Sequence, residues 1–111
     1  MEIDVNTAKC WLDRGTSDDG LPVVFIDCRE PSEVQTASIP GTELAPMSQW
    51  PPPSDQTDTW SGKQIVVFCH HGGRSLRVAM WMRQNGFPNS LSMAGGIDRW
   101  SLDIDPLVPR Y

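Results

Sequence analysis

The sequence has no apolar run long enough to cross a bilayer. It has no excess of basic residues either: 9 Lys and Arg stand against 14 Asp and Glu, a formal net charge of -5. A general nucleic-acid binder carries a basic surface, so that class is disfavoured, and neither nucleic acid nor membrane is expected as a partner. Met1-Glu2-Ile3-Asp4 has no basic n-region and no apolar h-region, so no signal peptide is visible and a cytoplasmic protein is expected. Cysteine is scarce. Cys10, Cys28 and Cys69 are an odd number at wide spacing, unlike a disulfide framework, and reduced thiols are the simpler account. The only two histidines, His70 and His71, are adjacent and no Cys or His pair at zinc spacing accompanies them, so no metal is expected. What is present is 39% hydrophobic and 21% charged residues over 111 positions, which predicts one folded domain spanning 1–111.

Taken in order, Ile3 can begin a short strand and Asp4 can cap a helix from Val5 to Arg14, with Gly15 just past its end. Val5, Ala8, Trp11 and Leu12 share one face of that helix, and Cys10 reads as a packing residue within it. Leu21 to Ile26 is apolar without alternation, the pattern of a strand covered on both faces. Pro31 suits the first turn of a short helix through Val34, Ile39-Pro40-Gly41 a turn, and Leu44-Ala45 a short strand. Met47 to Trp60, with Pro51-Pro52-Pro53 and a polar stretch from Ser54, predicts a surface loop after one helical turn, its ends pinned by Trp50 and Trp60. Gln64 to Phe68 is the most strand-like run. Ser75, Val78, Ala79 and Met82 then recur at helical spacing, and Gly86 ends that helix. Leu91-Ser92-Met93 predicts a last strand, Ala94-Gly95-Gly96 a tight connection into a helical turn ending near Trp100, and Ser101 to Tyr111 an extended tail. Strands alternating with helices predict an α/β domain with a mainly parallel sheet, whose ligands sit outside the carboxyl ends of the strands.

Two segments lie at such ends: Asp27-Cys28-Arg29, and Cys69-His70-His71-Gly72-Gly73-Arg74-Ser75. The second places a thiol at a strand end and a helix N-terminus, where unpaired N–H groups and the helix dipole stabilise a thiolate. Gly72 and Gly73 let the backbone curl into a nest of N–H groups around the sulfur. Arg74 adds a planar charge matched to oxyanions. A loop of this kind has no packing purpose, and it suits a Cys69 that accepts a group and passes it on. At least one of His70 and His71 is expected to line the pocket. Asp27 and Arg29 are candidates for groups behind the site, with a structural ion pair ordering the strand ends as the plainer reading. Cys28 reads as a buried structural thiol rather than a resolving one.

These residues resemble the active-site loop of rhodanese-type sulfurtransferases. Ile26-Asp27-Cys28-Arg29 with Glu33 is similar to that family's Asp-x-Arg segment, Ile39-Pro40-Gly41 to its Ile-Pro-Gly-Ala turn, and Gly95-Gly96 to Trp100 to its closing Gly-Gly-x-x-x-Trp. Ala37-Ser38 departs from the usual Gly-His, Thr42 from Ala, and Cys28 from Val. The resemblance implies a five-stranded, mostly parallel sheet with helices on both faces. It implies that Cys69 takes a sulfane sulfur from a donor such as thiosulfate, as a persulfide cradled by His70 to Ser75. The sulfur then goes to cyanide, a thiol or a sulfur-carrier protein. No metal or organic cofactor is implied. The closing Ile104 to Tyr111 is similar to rhodanese domains that end sulfur-carrier-activating enzymes, a hint of a protein acceptor.

Three other readings are possible at this point. Dual-specificity phosphatases of the same fold use Cys-x5-Arg, whereas four residues separate Cys69 from Arg74, a smaller loop better matched to sulfur than to phosphate. A non-catalytic interaction module would ordinarily lack the cysteine. A redox sensor would pair Cys69 with Cys28.

Overall fold

The computed structural model describes residues 1–111. Five strands form one parallel sheet in the order β1-β5-β4-β2-β3. They are β1 Glu2–Ile3, β2 Val23–Asp27, β3 Glu43–Leu44, β4 Gln64–Phe68 and β5 Ser90–Met93. The helices are α1 Val5–Arg14, α2 Pro31–Thr36, α3 Ser54–Asp58, α4 Gly73–Gln84 and α5 Gly96–Asp103.

β4 is central and buried along its whole length, as its unbroken apolar run requires. Successive side chains point to opposite faces. Val66 and Phe68 join the core under α1 and α5, with Val5, Ala8, Trp11, Ile97 and Trp100. Ile65 and Val67 join the core under α4, with Ile26, Val78 and Met82. The same parity carries one residue further. Cys69 and Cys28 follow β4 and β2, and both turn into the α4-side core. Asp27 pairs with Phe68 in register and Cys28 N–H donates to the Phe68 carbonyl at 3.1 Å, so the two cysteines end adjacent strands side by side.

α1 forms as its caps dictate: Asp4 accepts from Thr7 N–H at 2.7 Å, and Gly15 closes the helix in the left-handed region at φ 81°. Cys10 is exposed rather than packed, because it lies off the Val5, Ala8, Trp11 stripe.

β2 begins at Val23 rather than Leu21 and ends at Asp27, β3 covers Glu43–Leu44 rather than Leu44-Ala45, and three helical segments also differ from the sequence expectation. α2 runs two residues past Val34, to Thr36. Residues 54–58, expected as loop, form α3. Pro53 ends the extended proline run and its carbonyl accepts from Gln56 and Thr57 N–H, while the Gln56 amide reaches Glu43 at 3.0 Å and the Leu44 carbonyl at 3.2 Å. α5 continues through Ser101 to Asp103 instead of ending near Trp100. Ser101 is buried and its hydroxyl donates to the Ile97 carbonyl at 3.0 Å, which keeps that turn helical. The two tryptophans do pin the intervening segment. Trp60 is fully buried with Nε1 donating to Glu43 at 2.8 Å, Trp50 Nε1 donates to the Ala45 carbonyl at 2.8 Å, and the rings lie 6.0 Å apart.

Candidate active site

The loop from Cys69 to Gly72 joins the end of β4 to the first turn of α4. It can close this tightly because Gly72 adopts φ 109°, a conformation costly for any side chain, and its α-carbon faces the Gly95 amide, 3.3 Å from where a Cβ would stand. The closure aims N–H groups inward. Gly72 N–H donates to Cys69 Sγ at 3.1 Å and Ser75 N–H at 3.4 Å, with the Ser75 hydroxyl oxygen also at 3.4 Å. Ser75 Oγ in turn donates to the Gly72 carbonyl at 3.1 Å and lies 2.7 Å from Ser92 Oγ on β5, so its one proton is shared between that carbonyl and a Cys69 thiolate while Ser92 can donate to it.

These contacts favour the thiolate, and the Cys69 pKa is held down at about 4. The Cys28 thiol beside it contributes most, followed by the Ser75 hydroxyl and the N–H groups of Ser75 and Gly72, all against the burial that opposes ionisation. Cys28 moves the other way: the neighbouring Cys69 sulfur and burial both favour its protonated form. Of the two thiols, Cys69 is the one whose ionised form the loop's N–H groups favour.

The loop is held from behind by α5. Ile97 N–H donates to the Cys69 carbonyl at 2.9 Å and Asp98 N–H to the His70 carbonyl at 3.1 Å. Gly96 permits this approach. It sits at φ 59°, and a Cβ there would fall 2.5 Å from the His70 carbonyl oxygen.

Arg74 leaves the sulfur to the backbone and turns to α2. Its two terminal nitrogens donate to the two Glu33 oxygens at 2.7 and 2.9 Å, a bidentate pair. Glu33 is positioned by a capping box, with Oε1 accepting Glu30 N–H at 3.1 Å and Pro31 opening the helix. Its pKa falls to about 2, chiefly through Arg74 and then through the Tyr111 hydroxyl and Glu30 N–H. The fork expected to face an oxyanion is thus already engaged, and Arg74 brings charge to the site without a free edge at those two nitrogens.

Asp27 and Arg29 form the structural ion pair that was the plainer sequence reading. Arg29 is fully buried and donates to Asp27 at 2.7 and 2.9 Å and to the Ala37 carbonyl at 2.7 Å. Both residues belong to the end of β2, so the pair ties that one strand end to the chain leaving α2 rather than joining two strands.

His70 and His71 stack with ring centroids 3.9 Å apart, and Tyr111 stacks on the other side of His70, also at 3.9 Å. His71 faces Asp98 at 3.9 Å, and Asp98 is also paired with Arg110 at 2.9 Å. His70, His71 and Asp98 hold possible ligand atoms within 4.8 Å of one another.

Tyr111 was not foreseen. Its hydroxyl donates to Glu33 at 2.7 Å and accepts from Arg29 at 3.0 Å, closing a network of Arg74, Glu33, Tyr111 and Arg29. Nothing local in a proline-broken tail signals that contact. Glu33 was visible only as part of a motif; a Pro followed two residues later by Glu is its capping-box signal.

A profile of the rhodanese-like domain matches residues 9–103. The Rhodanese-like/PpiC domain-containing protein 12, chloroplastic, of Arabidopsis thaliana is 41% identical over 78% of the chain and 30% of its own length. A tRNA uridine(34) hydroxylase of Variovorax paradoxus is 34% identical over 92% of the chain and 40% of its own length. The adenylyltransferase and sulfurtransferase MOCS3-2 of Zea mays is 31% identical over 86% of the chain and 21% of its own length. The chain thus spans less than half the length of each of these relatives. With the sheet order, the loop and a match over most of its residues, the chain belongs to the rhodanese-like domain family, and its fold is the rhodanese fold.

Proposed function

We propose that the chain is a sulfurtransferase working through a Cys69 persulfide. The observation that carries this is the cradle at Cys69 Sγ: N–H groups of Gly72 and Ser75 at 3.1 and 3.4 Å and Ser75 Oγ at 3.4 Å, which favour its ionised form. An ionised sulfur is the attacking species, and the same donors stabilise the negative charge once it has moved to the outer sulfur of a persulfide. With thiosulfate, the Cys69 thiolate attacks the outer sulfur, an S–S bond forms, the donor's S–S bond breaks and sulfite leaves with its electron pair. Cyanide or a thiolate then attacks the outer sulfur, giving thiocyanate or a new persulfide, and Cys69 leaves as thiolate. Charge and sulfur balance in both steps, and no metal or organic cofactor takes part.

On this reading His70, His71, Gly72, Gly73, Arg74 and Ser75 form the substrate side of the site, with Asp27 and Arg29 fixing the strand end behind it. The acceptor is a small thiophile or a sulfur-carrier protein. The Zea mays relative, whose name includes sulfurtransferase, supports the sulfur chemistry, and the cytoplasm is the compartment that reduced thiols favour.

Mass spectrometry after incubation with thiosulfate should find one added sulfur on Cys69, and Cys69→Ser should abolish both the adduct and thiocyanate formation. Transfer that survives in Cys69→Ser rejects the reading. Release of phosphate from an aryl phosphate without thiocyanate formation would replace it with the phosphatase one.

The adjacency of Cys28 and Cys69 favours one second reading, redox sensing through a disulfide between them. Peptide mapping after mild peroxide treatment tests it: a Cys28–Cys69 linkage supports it, and Cys69 sulfenate or sulfinate alone does not.

A further inference from the structure

A cavity of about 270 Å³ lies between α4 and the turn after β3, lined by Met47, Trp50, Pro51, Arg77, Val78 and Trp81. Its walls are aromatic and aliphatic. Trp50 and Trp81 meet edge to face at 79° with centroids 5.5 Å apart, and Trp81 keeps 40% of its surface exposed.

Arg77 is the one cation in this lining, and it is unusual in the chain. Arg14, Arg29, Arg74, Arg99 and Arg110 each hold a carboxylate, and Arg83 donates to the Ser90 carbonyl at 2.7 Å. Arg77 alone among the arginines has no side-chain partner, although acidic residues outnumber basic ones 14 to 9. An unpaired guanidinium beside two indoles offers a fork for an anion and flat faces for a ring.

The cavity lies along the same helix as the site already described. Arg74, Arg77, Val78 and Trp81 form one stripe of α4 at i, i+3, i+4 and i+7. Ser75, within the same first turn, donates to Cys69 Sγ; Val78 packs in the core that contains Cys28 and Cys69; and Met47 N–H donates to the Cys28 carbonyl at 3.0 Å. At 1.5 Å of rise per residue, Ser75 and Trp81 are about 9 Å apart along the helix axis, roughly the span of a substituted ring.

We propose that this cavity binds the ring of a planar aromatic anion, with its charge on Arg77. Resting on the sulfur-transfer reading, such a molecule is the organic body of the acceptor, held along α4 while its thiophilic atom approaches Cys69.

The test uses benzenesulfonate, which has the ring and the charge but no transferable sulfur, titrated into the isotope-labelled full chain while the indole N–H resonances are followed. Trp50 and Trp81 should shift together and saturate. Methanesulfonate (no ring) and benzyl alcohol (no charge) should each bind at least about 10-fold more weakly. Arg77→Gln and Trp81→Ala, both at exposed positions, should also weaken benzenesulfonate about 10-fold, while Cys69→Ser should bind it like the parent. Equal affinity for methanesulfonate, an unaffected Arg77→Gln, or shifts away from both indoles overturn the proposal. Persulfide formation by the same samples separates the two ideas. Binding without persulfide removes the sulfur chemistry and leaves the cavity's ligand class standing; persulfide without binding removes the cavity alone.

Discussion

At the scale of single residues, the site rests on an unequal pair of thiols. Cys69 was legible in the sequence because a cysteine followed by Gly-Gly-Arg-Ser at a helix start has few structural uses. Cys28, read as a buried structural thiol, is buried in the α4-side core, but its place beside Cys69 had no local signal. Its role depends on parity in a neighbouring strand and on the register that sets Asp27 opposite Phe68. Removing it tests the arrangement. Thiolate absorbance in the ultraviolet should titrate near pH 4 in the parent protein, since Cys69 is ionised above that value. In Cys28→Ala the midpoint should rise by one or more pH units, because its largest stabilising partner is gone, yet stay below the ordinary thiol value near 9, because the Gly72 and Ser75 donors remain. Cys28→Ser, which restores a donor, should lie between the two. The linkage follows the same sign: a thiol whose folded pKa is depressed adds stability that is complete above its unfolded value and fades as pH falls toward 4. An unmoved midpoint in Cys28→Ala would mean that the backbone nest alone ionises Cys69.

At the scale of elements, the segments read correctly are those with a physical signature of their own. Caps and an apolar stripe define α1, an unbroken apolar run defines β4, and a stripe from Ser75 to Met82 defines α4. α3 was missed because Ser54–Asp58 has neither stripe nor side-chain cap; it is held by Gln56 reaching β3. α5 was read too short because its last turn is stabilised by burial of Ser101, a polar residue that periodicity counts as surface. The function of α5 is equally tertiary, since its Ile97 and Asp98 N–H groups donate to the Cys69 and His70 carbonyls. Gly96→Ala should therefore do more than stiffen a turn. It forces a left-handed backbone on a side chain and drives a methyl group into the His70 carbonyl. A loss of about 2–4 kcal/mol in urea unfolding is expected, with faster amide exchange at His70 and Gly72. A loss below about 0.5 kcal/mol would show that the loop stands without this support.

At the scale of the whole molecule, the last residue closes the network that the first half of the chain begins. Tyr111 is 82 positions from Arg29 and 78 from Glu33, yet its hydroxyl lies within 3.0 Å of the former and 2.7 Å of the latter, and its ring covers His70. Such a contact has no local sequence signal, because it exists only once α5 has turned the tail back across the carboxyl edge of the sheet. The network lets one phenol reach Cys69 through two routes: Glu33 holds Arg74, whose backbone neighbour Ser75 donates to sulfur, and His70 follows Cys69 directly. Two substitutions separate the routes. Tyr111→Phe keeps the stacked ring and removes the hydroxyl, so it should cost about 1 kcal/mol in unfolding free energy and loosen the Arg74–Glu33 pair while leaving His70 covered. Tyr111→Ala removes both, and should in addition accelerate amide exchange from His70 to Gly72 and raise the midpoint of Cys69 ionisation. If Tyr111→Ala matches Tyr111→Phe in exchange and in thiolate titration, the ring is a passive cover and only the hydroxyl network reaches the site.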